Sequence, residues 1–186
     1  MRRRHATLAL ASCVLCVATW LASCGRSAEE KDLLYNRFLH STVEMPYSHM
    51  AFVGEDSLWN THAAYTYVHY MDSINCSSCL GTRLAVWQMF EKQLESLPDS
   101  CRLCFIVEGD TSTIRLIREV EYYTQYSPAM YVDTAGVFLG QNPLVDSLRI
   151  LRSFMIDSRG QVLLIGDPTR TDMTQAISEA LSQHKQ

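Results

Sequence analysis

The spacing of apolar positions changes abruptly a third of the way along the chain. Residues 64–71, AYTYVHYM, are aromatic and β-branched, which is strand composition. Soon after, Leu80, Leu84, Trp87, Phe90, Leu94 and Leu97 recur at three- and four-residue intervals, predicting a helix over 76–97 closed by Pro98. LCFIVE (103–108) is short and nearly continuously apolar, as a buried central strand requires. A second helical pattern runs over 111–123 with Asp110 or Thr111 as its cap, and a short strand is expected at 130–132. NPLVDSL (142–148) reads as a short helix. Strands at 152–156 and 162–165 flank the turn signal DSRG, and 171–183 is a closing amphipathic helix starting near Thr171 or Asp172.

Upstream the pattern is weaker. DLLYNRFL (32–39) suits a short helix, and STVEMP and SHMAFVG suit an extended lead-in. The order is β-α-β-α-(β)-α-β-β-α, with no internal repeat. Strands alternating with helices and then closing in a hairpin and a helix imply an α/β fold, a mixed sheet covered on both faces.

The first residues change the picture of the rest. Arg2, Arg3 and Arg4 precede an apolar run over 6–20 that is short for a membrane span, as in an export signal. The run ends in Leu21, Ala22, Ser23 and Cys24, which resembles a bacterial lipobox. That resemblance implies cleavage before Cys24 and lipid on its sulfur and amino group. The expected layout is a leader over 1–23, a polar tether and N-terminal extension over 24–63, and a domain over 64–186. The expected location is a bacterial cell envelope, with the domain lipid-anchored and facing the periplasm or the exterior.

Removing the leader takes three arginines and no acid. The chain's 16 basic and 20 acidic residues become 13 and 20, so the formal charge moves from −4 to −7. No basic stripe remains, which argues against nucleic acid as a partner. An envelope permits disulfides. With Cys13 and Cys16 lost and Cys24 given to lipid, four cysteines are left, in two pairs of identical spacing: Cys76/Cys79 and Cys101/Cys104.

The two pairs read differently. Cys76-Ser77-Ser78-Cys79 opens the long helix, where unpaired amides and partial positive charge favour a thiolate. A helical first turn also brings the two sulfurs together. Cys76 is expected to be the exposed nucleophile and Cys79, a turn further in, the shielded resolving thiol. Cys101 and Cys104 lead into a strand, where three extended residues span roughly 10 Å, too far for a disulfide. Cys104 is expected as a small core residue and Cys101 at the strand's start. The rival is a zinc site, since C-x2-C-x21-C-x2-C is near ribbon spacing. Ribbon pairs sit in tight turns, whereas these sit on a helix and a strand, so no metal site is expected. His40, His49, His62 and His69 precede the dithiol without ligand spacing.

The dithiol opening a helix, together with FMIDSRGQVLLIG (154–166) as a terminal hairpin, resembles the thioredoxin fold in its TlpA-like, membrane-anchored or exported form. The resemblance covers roughly 65–184. It implies a thiol–disulfide oxidoreductase with Cys76 and Cys79 as catalytic residues, no cofactor, and protein thiols or disulfides of the envelope as partners. The alternative is a redox-inactive lipoprotein of the same fold, serving as a binding or scaffold module. Three positions depart from the family pattern. Asn75 stands where tryptophan is usual. The polar residue expected near the second cysteine falls near Tyr70, with Asp72 two residues on. Arg152 and Ser153 stand where a cis-proline normally precedes the hairpin; an arginine there either adds positive potential beside the thiols, obstructs the site or ligates metal differently, or marks a kept fold whose redox role has drifted.

Overall fold

In the computed structural model, residues 26–54, 63–97, 101–169 and 172–184 are described. Cys24, His62, Pro98 and Thr171 lie outside them. The chain divides into two compact units, Met1–Leu33 and Leu34–Gln186. In the first, Ser27 Oγ accepts the Glu30 amide at 3.1 Å and Arg26 pairs with Glu30 at 3.2 Å, so the start of helix α1 (Ala28–Leu39) is both capped and charge-matched.

The second unit is built on a six-stranded sheet. Its strands are β1 (Ala51–Val53), β2 (Tyr65–Met71), β3 (Cys101–Glu108), β4 (Met130–Asp133), β5 (Ser153–Asp157) and β6 (Val162–Ile165), in the order β1-β4-β3-β2-β5-β6. β2, β3 and β4 run parallel, while β1, β5 and β6 join antiparallel. The sheet is therefore mixed, as the strand–helix alternation predicts, and part of the segment expected as an extension supplies an edge strand.

Alternation along the central strands divides the core in two. Tyr65, Tyr67, Leu103, Phe105 and Val107 face one side with Leu84, Trp87, Phe90 and Leu94 of α2 (Ser77–Glu95), Ile117 and Val120 of α3 (Thr111–Thr124), and Ile177 and Leu181 of α5 (Thr174–His184). Val68, Tyr70, Cys104, Ile106 and Phe154 face the other, with Phe38, Val43 and Phe138. Each large apolar side chain so buried contributes about 1.5–3 kcal/mol. This two-faced burial is why LCFIVE carries no polar alternation.

Local chemistry fixes the ends of the elements. Asp110 caps α3 by accepting the Ser112 and Thr113 amides, and Thr113 Oγ1 accepts the Asp110 amide in return. In the hairpin, Asp157 accepts the amides of Arg159 and Gln161, at 2.8 and 2.9 Å. Gly160 turns there at φ +81°, with a side chain excluded by the Val43 carbonyl, 2.4 Å from where a Cβ would sit.

One element lies elsewhere than its pattern suggests. The helix expected over 142–148 is a series of turns, and the helix α4 is Val137–Gln141. The buried Asp133 carboxylate draws it upstream by accepting the amides of Val137 (3.1 Å) and Phe138 (2.7 Å). Asn142, expected to open the helix, instead binds the Glu44 backbone, its Oδ1 accepting the amide and its Nδ2 donating to the carbonyl.

Candidate functional site

The strand β2 delivers the chain to the dithiol. After Met71 it leaves the sheet, and Cys76, extended at φ −153° and ψ 121°, is the N-cap of α2. The Cys76 Sγ accepts the backbone amide of Cys79 at 3.2 Å, and Ser78 Oγ lies 3.1 Å from the same sulfur. A sulfur thus does the work usually done by a capping serine or aspartate: it receives one of the helix's unpaired amides. Negative charge on that sulfur is favoured by these donors and by the helix dipole.

These contacts set the acidities. The Cys76 thiol is lowered from an ordinary 9.0 to about 7, first by the Cys79 thiol donating to it, then by Ser78 and the Cys79 amide. The Cys79 thiol is pushed up because the Cys76 thiolate holds its proton. The two sulfurs are therefore inequivalent, with the first the better thiolate. The expected shielding of Cys79 is not observed: Cys76 is half-buried and Cys79 is exposed. The buried stripe of α2 begins at Leu80, about 100° round the helix from Cys79, which leaves Cys79 at the stripe's margin.

The second pair lies within β3. Cys101 packs with the core beneath α2, and Cys104 with the core on the sheet's other face. Both are buried and unbridged, and burial raises both thiols, Cys101 to about 12. Two cysteines on opposite faces of one sheet cannot turn toward a common ion with Cys76 and Cys79.

The positions departing from the family pattern have defined contacts. Tyr70, expected beside the second cysteine, points to the face away from α2, where its hydroxyl donates to Glu108 at 2.8 Å. The polar side chain of β2 on the α2 side is His69. Its ring lies against Trp87, tilted by 36° with 4.4 Å between centroids, and its Nδ1 shares a 2.7 Å hydrogen bond with Ser153 Oγ. Burial, opposed by Asp167 and aided by Arg83 and Arg152, lowers its pKa to about 4, so the ring is neutral at pH 7. Arg152 bonds Asp72 at 2.8 Å, pairs with Asp146 and lies 5.8 Å over the Tyr70 ring. It is neutralised by two carboxylates, and the lowered Cys76 thiol is accounted for by Cys79, Ser78 and the backbone instead. The arginine ties down the loop leading to the dithiol.

Cavities open at both ends of β2. One of about 390 Å³ lies by Thr66 and Arg102, toward the start of β2 and away from the sulfurs. The other, of about 270 Å³, lies at the end of β2, between α2 and the turn before β5.

The mixed sheet with its flanking helices has counterparts among solved structures. A thioredoxin-like protein solved in solution in its oxidised form matches with a TM-score of 0.51 at 14% identity, over 78% of this chain and 97% of its own. The fold is thioredoxin-like. Further matches include a thioredoxin-like protein from Bacteroides caccae (TM-score 0.45, 18% identity, 88% of this chain and 58% of that one) and StoA from Bacillus subtilis (TM-score 0.41, 12% identity, 66% and 86%). At these identities the likeness is one of fold. No family model matches the chain, and no curated protein matches its sequence.

Within that thioredoxin-like domain, several contacts of the site were not marked in the sequence. His69 carries no motif, and the sequence marks Arg152 and Ser153 only as standing in place of a cis-proline, not as partners of Asp72 and His69. The parity of position 69 with Tyr65 and Tyr67 could have placed His69 under α2, once it was known which face α2 covers.

Proposed function

We propose that this protein is a cell-envelope thiol–disulfide oxidoreductase held to a membrane by lipid on Cys24, with Cys76 as nucleophile and Cys79 as resolving thiol. The observation carrying this reading is the Cys76 Sγ standing as the N-cap of α2, with the Cys79 amide donating to it at 3.2 Å. A sulfur so placed is about half thiolate at neutral pH and reachable from solvent.

The chemistry is thiol–disulfide exchange. The Cys76 thiolate attacks one sulfur of a substrate disulfide, forming a mixed disulfide and releasing the other substrate sulfur as a thiolate, which takes a proton from solvent. Cys79 gives its proton to solvent and attacks the Cys76 sulfur. The Cys76–Cys79 bond forms, the second substrate thiolate leaves, and two electrons have passed from protein to substrate. Run in reverse, the same steps oxidise a dithiol. The one-turn spacing of Cys76 and Cys79 makes the second attack intramolecular and fast.

The deciding test is a redox titration of the detergent-solubilised full chain in dithiothreitol buffers, read by alkylation and mass spectrometry. A reversible two-electron transition confined to Cys76 and Cys79 is expected, and a pair that never cycles refutes the reading. Lipid on Cys24 is tested separately, by the mass of the N-terminal fragment from cells.

A further inference from the structure

The 270 Å³ cavity differs from the rest of this acidic protein in its charge. Three arginines line it: Arg83 from α2, and Arg149 and Arg152 from the turn before β5. Arg152 is neutralised by Asp72 and Asp146. Asp167, also in the wall, accepts the amide and hydroxyl of Thr169 at 3.0 and 2.6 Å. Arg83 and Arg149 form no ion pair among the described residues, and both are exposed. Their charges are available to a ligand.

The sulfurs do not line the cavity, but one of its walls is the side of α2 that also carries them. Arg83 follows Cys79 by four residues and Cys76 by seven, so the three share one side of α2. The guanidinium's field reaches Cys79, where it opposes the rise in that thiol's pKa, and reaches His69 at the cavity floor. A molecule lying along this side of α2 would touch the nucleophile at one end and the cations at the other. The site lies past the C-terminal end of β2, where ligands commonly bind in open α/β sheets.

We propose that this cavity binds a carboxylate of the substrate, and that the preferred substrate is a cysteine-containing peptide with an acidic residue two or three positions from its reacting cysteine. This inference rests on the exchange reaction above and names the substrate class for that same dithiol. The distance sets the spacing: seven helical residues rise about 10 Å, which an extended peptide covers in about three residues. The volume sets the size, since about 270 Å³ is below the usual range for a drug-sized ligand and suits one or two side chains. Exposed arginine fits a carboxylate by paired hydrogen bonds, and the interaction is screened by salt.

Binding and exchange are measured separately. For binding, the full chain carrying Cys76→Ser and Cys79→Ser is titrated with two short peptides in which serine replaces the reacting cysteine. One peptide has glutamate two residues ahead of the serine, and the other has glutamine there. The glutamate peptide is expected to bind about tenfold more tightly at low salt, with the gap closing at high salt and vanishing in Arg83→Gln/Arg149→Gln. Equal affinities, no measurable binding, or a preference that survives loss of both arginines overturns the proposal. For exchange, the native dithiol is assayed with a neutral model disulfide. Exchange without a binding preference leaves the oxidoreductase standing and removes the acidic substrate. A binding preference without exchange does the opposite.

Discussion

Among the described residues C-x-x-C occurs twice, and the two copies have opposite chemistry. Cys76/Cys79 begins a helix, so its three-residue separation is one turn and its first sulfur receives a helix amide. Cys101/Cys104 begins a strand, so the same separation points the two sulfurs to opposite faces of a sheet and buries both. Burial raises one pair, whereas hydrogen bonding lowers the leading thiol of the other to about 7. Spacing alone therefore carries no redox meaning here; the backbone conformation beneath it does.

Serine substitution breaks this comparison most sharply. Cys76→Ser should reduce exchange by at least about 10³-fold with little change in stability, since serine is itself a good N-cap and takes over the sulfur's place at the helix start. Cys104→Ser should leave exchange intact and cost about 1–3 kcal/mol, because a hydroxyl enters an apolar core. Exchange rates and thermal melts of both variants decide it. Loss of exchange in Cys104→Ser at a temperature where the protein remains folded would mean that the second pair takes part in the chemistry.

Alkylation separates the pairs by rate. Iodoacetamide should modify Cys76 first in the native reduced protein, and Cys101 and Cys104 only after unfolding. The rate at Cys76 should track its thiolate: nearly flat above pH 8, halved near pH 7 and falling tenfold per unit below pH 6. A midpoint near 9 would mean that the amide and Ser78 contacts do not act on the sulfur.

Most of the fold was legible because the apolar spacing within each element is set by which faces are buried. The stripe from Leu80 to Leu94 and the unbroken run at 103–108 mark their elements without help from distant residues. The short helix was misplaced because its start depends on Asp133, a strand residue whose carboxylate turns to cap the helix at Val137. The dithiol could be found, since a cysteine at a helix start has the same local chemistry wherever it occurs. Its surroundings could not. The face of β2 that lies under α2 depends on the path of the loop over 72–75, and the one-residue difference between His69 and Tyr70 decides which side chain lies beneath the helix. Cys79 was expected to be shielded on the same local logic, but exposure depends on what the remaining chain covers.

His69 gives a smaller effect, read in stability. Its pKa is lowered to about 4 from an ordinary 6.5, so the folded state takes up a proton less readily than the unfolded chain. Its contribution is complete above about pH 6.5 and declines as the pH falls toward 4, by up to about 3 kcal/mol. His69→Gln, which retains a partner for Ser153, should flatten the melting temperature across that window while Cys76 alkylation is unchanged. A wild-type melting curve that is already flat from pH 6.5 to 4 would refute the assignment.

The smallest effect concerns what holds each pair in place. The second pair is fixed by the sheet, Cys101 opposite Tyr65 and Cys104 opposite Val68 in parallel register with β2. The first is approached by a loop whose Asp72 is held by Arg152, a partly exposed pair reinforced by Asp146. Such pairs couple by about 0.5–1 kcal/mol, and salt weakens them. A double-mutant cycle of Asp72→Asn and Arg152→Met should return a coupling in that range, smaller at 0.5 M salt. Since Arg152 acts on the loop and the sulfur is served by its own helix, neither variant should move the Cys76 alkylation midpoint by more than about 0.3 units. A larger shift would show that the loop, and with it the arginine, sets the geometry of the N-cap sulfur.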